Sequence, residues 1–469
     1  MSLPCDPIAP IGLEGFAAAM RQGKITSEQV VSAYLARIKT LDPLLGAYEY
    51  VDYDGAMNVA RAMDSLLASG TDLGPLMGLP VSVKDIFVLN GKAPNAGSNF
   101  PLHDRFSGED AAFIKALKGA GCVILGTTRM VEFALGITGH SIPRGTSWNP
   151  WDENSHRLPG GSSSGAGVAL SAGLCALSIG TDTGGSVRVP AAMCGLFGLK
   201  TTAGRWPNKG AFPLDPQTDT VGLITRSARD ARVAFRELDS RLSVGQVNNA
   251  QPKDVIKVGI PNDYMLDGLS SDVEEAFNRS LSTLQSHGVE VSSVDIPNLD
   301  GRERYFPVAM PAHLLSWLGV DEFMRYKDEM DPTVSSRIET GIDIKAHDYL
   351  KVCSERKESV KLADDIYSDV NLVLSPTTQT SALLVSDLKD PVKSLAAAMG
   401  MTRNTQQANY FDWCAVTLPV GLDSCRLPVG IQLNARGMTE HHLLDMAVHI
   451  ENLIGQSLFP KSFRGVQLY

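Results

Sequence analysis

Basic residues are outnumbered in this chain: 42 lysines and arginines against 52 acidic residues among 469 leave a formal charge of −10. No run of five or more lysines or arginines occurs. The positive footprint that phosphate-backbone binding requires is missing, so nucleic acid is not an expected partner. Long apolar runs are missing too, since 18 consecutive apolar residues stand together nowhere. The opening residues, MSLPCDPIAPIGLEGF, carry no basic start followed by an apolar stretch. Neither a membrane span nor a secretory leader is expected, and a cytoplasmic location is. Cysteine is sparse: Cys5, Cys122, Cys175, Cys194, Cys353, Cys414 and Cys425 include no C-x-x-C pair. Several lie inside apolar runs, as reduced core thiols do. The nine histidines form neither H-E-x-x-H nor a Cys/His cluster at ligand spacing, so no metal is expected. His441 and His442 are adjacent, do not face each other on a helix, and are expected at the surface.

What is present reads as alternating helices and strands. TSEQVVSAYLARIK, residues 26–39, combines a Thr26-x-x-Gln29 capping box with apolar residues on one helical face. A second helical pattern covers about 54–68, and GPLMGLPVSVKDIFV is a Gly/Pro turn leading into a strand. EDAAFIKALKGAGCVILG then gives helix, glycine stop and a short apolar strand over Cys122–Leu125. That rhythm recurs at VALSAGLCALSIG, IKVGIPND and DVEEAFNRSLSTLQSHGVEVSSVDIP, and it is the rhythm of an α/β sheet. No internal repeat is found, and the most linker-like stretch is 240–254.

Glycine concentrates between residues 160 and 209, so backbone there turns sharply or approaches something closely. Two segments stand out, Gly160-Gly161-Ser162-Ser163-Ser164-Gly165 and Gly180-Thr181-Asp182-Thr183-Gly184-Gly185-Ser186. Small residues in the second can aim successive N–H groups at one point, while Ser186 opens a helix-like S-V-R-V-P-A-A-M. A hydroxyl beside such donors suits acyl transfer. Upstream, Lys84 alternates with Val83 and Asp85 along a strand, so its side chain leaves the face opposite Asp85. A buried lysine lacking a carboxylate partner can lose its charge and act as a base.

At these residues the chain resembles the amidase signature family, with GLPVSVKD for its lysine strand, GGSSSGAGVALSAG for its first serine and GTDTGGSVRVPAAMCGLFGLKTT for its second. The 24-residue spacing from Ser162 to Ser186 matches. So do GTTRMVEFALG, SWNPWD, TDTVGLITRSARDA and LPVGIQL, over roughly residues 26–455. The resemblance implies Ser186 as nucleophile, Ser162 as proton relay in a cis peptide, and neutral Lys84 as base. It implies backbone N–H groups of Thr183, Gly184, Gly185 and Ser186 as oxyanion hole, with Ser163, Asp182 and Arg188 supporting the loops. No cofactor is implied. Departures lie at Gly126-Thr127-Thr128-Arg129, where the family commonly has Gly-Lys-Thr-Asn, and at Asn409-Tyr-Phe-Asp-Trp-Cys for Asn-x-x-Gly-x-Pro; these touch substrate identity, not the triad.

The implied fold is α/β, a single large domain whose mixed central sheet of many strands is flanked by helices. Residues 1–64 are expected as helices packed outside a core at 65–469. The implied reaction is hydrolysis of a small-molecule amide, with esters, anilides or carbamates as further candidates, by a monomer or homodimer. Aromatic content places pocket walls at Met130, Glu132 and Phe133, with Tyr305–Trp317, Thr377–Thr380 and Tyr410–Trp413. Two other readings compete. The resemblance extends to the glutaminase component of a transfer-RNA-dependent amidotransferase complex, which needs a partner chain. GSSSG also fits the G-x-S-x-G elbow of an α/β-hydrolase esterase, with Ser163 as nucleophile, but that motif requires a strand just before it and HRLPGG stands there. The segment GLFGLKT lacks the adjacent Gly-Lys of a P-loop.

Overall fold

The structure is a computed structural model that describes residues 3–106, 108–242, 256–261, 263–455 and 458–469. Helix α1 (Gly12–Arg21) comes before the helix expected at Thr26. In α2 (Ser27–Leu45) the capping box forms: Thr26 Oγ1 accepts the Gln29 N–H, and Gln29 Oε1 accepts the Thr26 N–H, both at 3.1 Å. Its apolar face, Val30, Val31, Tyr34, Leu35 and Ile38, is buried as the spacing predicts. Strand β1 (Tyr48–Val51) and helix α3 (Tyr53–Ala68) follow. The first 64 residues are therefore not helices alone, because β1 pairs antiparallel with Val123–Thr128 and becomes an edge of the main sheet.

The chain continues through β2 (Pro80–Lys84), α4 (Ala112–Gly119), β3 (Val123–Thr128), α5 (Ser164–Ser171), β4 (Leu177–Asp182) and α6 (Arg188–Met193). Next come β5 (Phe197–Lys200), β6 (Thr220–Thr225), α7 (Ala228–Leu242), β7 (Lys257–Pro261), α8 (Ser271–Ser286), β8 (Glu290–Val294) and α9 (Gly301–Leu318). Strands β9 (Leu372–Pro376), β10 (Cys414–Leu422) and β11 (Pro428–Ala435) complete the sheet. The predicted strand at Cys122–Leu125 runs on to Thr128, and the helix after Ser186 begins at Arg188. The linker-like stretch 240–254 lies mostly outside the described residues.

Among the described residues, eleven strands form one mixed sheet in the order β1-β3-β2-β4-β6-β5-β10-β11-β9-β7-β8. It runs through the whole chain and makes one α/β domain. β2 lies parallel to both β3 and β4, whereas β4, β6, β5, β10, β11 and β9 pair antiparallel in turn. Residues Pro80–Lys84 are buried throughout, as befits a central strand covered on both faces. Parallel pairing sets Val83 beside Ile179, so Lys84 and the last residues of β4 emerge together at the carboxyl ends of adjacent strands. That is where ligands collect on α/β sheets.

The cysteines form no disulfide among the described residues; Cys122, Cys175, Cys194 and Cys414 are buried, while Cys5 and Cys425 are exposed. His441 and His442, expected at the surface, are half-buried on the helix Glu440–Ile454, with His441 edge-on to Phe235.

Arg37 ties the two ends of the chain to the core. Its buried guanidinium donates to the carbonyls of Pro4, Ala172, Gly173 and Leu468. The first serine segment is seated equally closely against the N-terminal layer. The Gly165 N–H donates to Arg129 O at 2.9 Å, and a Cβ on Gly165 would stand 2.1 Å from Ala47 O. Gly165→Ala must therefore push the start of α5 away from β3, and a stability loss of about 1–3 kcal/mol is expected in denaturant unfolding. An unchanged midpoint would show that this contact does not fix the segment.

Candidate active site

Lys84, at the end of β2, has no exposed surface. Its Nζ donates to Ser162 Oγ at 2.7 Å and to Thr181 Oγ1 at 2.8 Å. No carboxylate lies within salt-bridge distance of it among the described residues. Burial is the largest influence on the amine and lowers its pKa to about 7, against the opposing negative charges of Asp219 and then Asp182. Burial thus brings the neutral form, which a base needs, within reach near neutral pH.

Ser162 follows a cis peptide bond from Gly161 and is fully buried. Its carbonyl accepts the Val131 N–H at 3.1 Å, and the neighbouring Ser163 N–H donates to Ser186 O at 3.3 Å. The two glycine-rich segments are thereby joined backbone to backbone, with Lys84 beneath. Ser186 sits at their meeting and is 5% exposed. Ser163 points elsewhere: its buried hydroxyl turns to Thr181 O at 3.4 Å. Residues 156–163 contain no strand ahead of α5. The nucleophile-elbow reading thus lacks both its strand and an accessible hydroxyl.

The Ser186 loop is shaped by one buried carboxylate. Asp182 Oδ1 accepts the Gly185 N–H at 2.8 Å, and Oδ2 accepts the Val187 N–H at 3.1 Å. Arg188 closes on it through Nη2 to Oδ1 at 3.0 Å and Nε to Oδ2 at 3.1 Å. Burial alone would raise the Asp182 carboxyl; the charge and hydrogen bonds of Arg188 outweigh it and hold the pKa at about 2. Arg188 in turn donates to Gln432 Oε1 at 3.0 Å and Asn409 Oδ1 at 2.8 Å. Gly185 takes φ 126°, where an L side chain is strained, and a Cβ there would lie 2.3 Å from Thr405 Oγ1. Because the Gly185 N–H is engaged by Asp182, it is not free for a ligand oxygen. Among the described residues the N–H groups of Thr183, Gly184 and Ser186 meet no backbone acceptor. Three of the four expected donors are open.

A cavity of about 130 Å³ adjoins this loop, lined by Thr181, Thr183, Ile86, Ala134, Phe212 and Asp219 among others. Met130 and Phe133, expected as walls, are buried and do not line it; Phe133 stacks behind Phe212 with centroids 5.0 Å apart. Trp317 packs on Phe212 from α9 at 4.7 Å. Glu132 is also a brace, accepting Ser98 Oγ at 2.6 Å and the Asp331 N–H at 2.7 Å. Tyr305 reaches Asp215 Oδ2 at 3.0 Å, whereas Thr377, Tyr410 and Trp413 lie in the interior. Sequence reasoning misses Thr181, Asp219, Asn409 and Gln432 as partners of the site. Thr181 lies in the second glycine-rich segment, and its place just before Asp182 is the one signal that it abuts the lysine strand. No group of three or more potential metal ligands is found among the described residues, and no helix there is long and apolar enough to cross a membrane.

A family model described as Amidase matches residues 29–444. A 2-amino-5-chloromuconic acid deaminase from Comamonas testosteroni is 36% identical over 452 residues, spanning 96% of this chain and 97% of that protein. One component chain of the glutamyl-tRNA(Gln) amidotransferase from Clostridium kluyveri is 30% identical over 466 residues, spanning 92% of this chain and 93% of that one. A crystal structure of an amidase superposes with a TM-score of 0.84 at 26% identity, covering 95% of this chain and 100% of the other. Family match, near-complete relatives and shared fold agree: the chain belongs to the amidase family.

Proposed function

We propose that this amidase-family enzyme hydrolyses small-molecule carboxylic acid amides through a serine acyl-enzyme, without metal or organic cofactor. The observation that carries the reading is the buried Lys84 amine hydrogen-bonded at 2.7 Å to Ser162 Oγ and to no carboxylate. Ser186 Oγ attacks the carbonyl carbon and passes its proton to Ser162, whose own proton goes to Lys84 Nζ. The carbonyl oxygen, now negative, is received by the N–H groups of Thr183, Gly184 and Ser186, each worth about 3–4 kcal/mol in such a role. As the tetrahedral species collapses, the C–N bond breaks and the leaving nitrogen takes the proton back along the relay. Water, deprotonated by the same relay, then cleaves the ester to Ser186 and releases the acid. Asp182 and Arg188 hold the loop and carry no proton. The same path serves esters, anilides and carbamates. A cytoplasmic monomer or homodimer acting alone completes the reading.

The relative from Clostridium kluyveri supports a second reading, in which the chain is the glutaminase component of a larger assembly. The purified chain decides between them: release of amine or ammonia from simple amides without any partner supports the first, and strict dependence on a partner supports the second. The relative from Comamonas testosteroni adds 2-amino-5-chloromuconic acid to the panel to be tried.

A fluorophosphonate should label the protein once, at Ser186 by peptide mass spectrometry, and Ser186→Ala should abolish both labelling and turnover while the melting temperature holds. Label at Ser163, or turnover by Ser186→Ala, would remove the nucleophile assignment.

The pH dependence follows from the sign of the Lys84 shift. A base must be neutral, and its pKa lies near 7 rather than 10.5. Activity should therefore rise through an apparent pKa of about 7 and stay high in mildly alkaline solution. Lys84→Ala should cost on the order of a thousandfold at neutral pH, with partial recovery at high pH. Lys84→Arg should do no better, since a guanidinium stays protonated. An active Lys84→Arg enzyme would mean that the residue serves as a fixed positive charge.

A further inference from the structure

Thr183 is the first residue beyond β4, and its N–H is one of the three open donors. Its side chain is anchored from outside the loop. Thr183 Oγ1 donates to Asp219 Oδ1 at 2.6 Å, while Asp219 Oδ2 accepts the N–H groups of Leu214 at 2.9 Å and Asp215 at 3.1 Å. The Asp219 carbonyl also accepts Asn208 Nδ2 at 2.8 Å. Asn208, Leu214, Thr183 and Asp219 all line the 130 Å³ cavity. One carboxylate therefore joins the loop proposed to receive the carbonyl oxygen to the wall of the cavity beside it.

Two backbone N–H groups fix one of the Asp219 oxygens as an acceptor, and the ionised carboxylate also accepts from the Thr183 hydroxyl with the other. An asparagine of the same shape keeps the two backbone N–H groups on its oxygen only by turning its NH₂ to Thr183 Oγ1, which reverses that hydrogen bond and removes the charge. No cation lies within salt-bridge distance of Asp219 among the described residues. A carboxylate without a cation is a costly choice for a site that only needs packing. Resting on the acyl-transfer reading above, we infer that Asp219 is a positioning residue of the amide hydrolysis, holding Thr183 and hence the carbonyl-binding N–H groups in place against the cavity wall.

Its charge has a second consequence. Lys84 is governed first by burial, and Asp219 is the foremost of the negative groups that oppose it, followed by Asp182. Asp219 is itself pushed up to about 7, by burial first and Asp215 next. The groups to be considered around it are Lys84 of β2, Asp182 of β4 and Asp215 of its own loop. Behind Asp215 stand Tyr305 and His313 of α9, with His313 Nε2 3.3 Å from Asp215 Oδ1. Asp219 thus gains its charge in the range in which Lys84 loses its own, so the two titrate together, and removing Asp219 should move the acid limb of the pH profile to lower pH.

Two variants separate the anchoring from the charge, with the rate of fluorophosphonate labelling at Ser186 as the readout, since it needs no knowledge of the natural amide. Thr183→Val removes the hydroxyl and keeps the charge. Its labelling rate should fall about ten- to a hundredfold, with the acid limb unmoved, and Thr183→Ser should restore the rate. Asp219→Asn removes the charge and can hold Thr183 only through a reversed hydrogen bond from its Nδ2, so its loss of rate should be no larger than that of Thr183→Val, while its acid limb should shift to lower pH. A Thr183→Val rate within about twofold of the unaltered chain overturns the inference, as does an acid limb that stays put in a folded Asp219→Asn. If Asp219→Asn does not fold, the Thr183 pair decides. Failure of the acyl-transfer reading is recognised separately, as label away from Ser186 in the unaltered chain.

Discussion

A primary amine cannot be taken out of water as an ammonium without an opposite charge, and the centre of this molecule gives Lys84 none in contact. Moving such an ion inside costs several kcal/mol even after relaxation, so burial selects the neutral form. Lys200 makes the comparison. It too is fully buried, with its pKa lowered to about 8, chiefly by burial. Its Nζ donates to the carbonyls of Thr201 and Trp413, groups with no proton to exchange. Lys84 faces two hydroxyls instead, each able to accept a hydrogen bond and to give one. Burial makes either lysine easier to deprotonate, but only the hydroxyl contact gives a proton somewhere to go.

That constraint explains why the ion pair next to it is so completely enclosed. Asp182 lies one residue beyond Thr181, and unpaired it would hold Lys84 charged. Arg188 takes up both carboxylate oxygens, and Gln432 and Asn409 occupy the rest of the guanidinium. Buried pairs of this kind are poor evidence for stability, since apolar replacements are often as good. Here the pair sets the path of the backbone: the Gly185 and Val187 N–H groups turn inward to Asp182, while those of Thr183, Gly184 and Ser186 meet no backbone acceptor among the described residues.

The parts of this arrangement legible in the sequence are those that local chain geometry controls. The capping box at Thr26, the alternation along the lysine strand and the crowding of glycine at two loops follow from backbone rules acting over a few residues. Contacts across the sheet leave no such trace. Thr181 meets Lys84 across 97 positions, and Asn409 meets Asp182 across 227. Strand β1 escapes notice because four residues, most of them only partly buried, do not form a readable apolar run. The order of eleven strands rests on crossovers that composition does not record. Aromaticity marks Phe133 as a pocket wall, yet it is Phe212, stacked on it, that meets the cavity. Aromatic content locates a layer, and packing decides which ring reaches the surface of it.

Exposure decreases along the proposed relay, and the direction matters for the chemistry. Ser186 is 5% exposed, whereas Ser162 and Lys84 have no exposed surface. Solvent can approach the acyl carbon but not the amine directly. In the proposed relay both the leaving nitrogen and the incoming water therefore exchange protons with Lys84 through the same serine, which makes the second half of the reaction the reverse of the first with water in place of the amine. A lysine open to solvent would be hydrated, charged and unable to accept a proton at neutral pH. In the proposed relay, the serine between base and nucleophile is thus what allows the base to stay dry while the acyl group is reached by water.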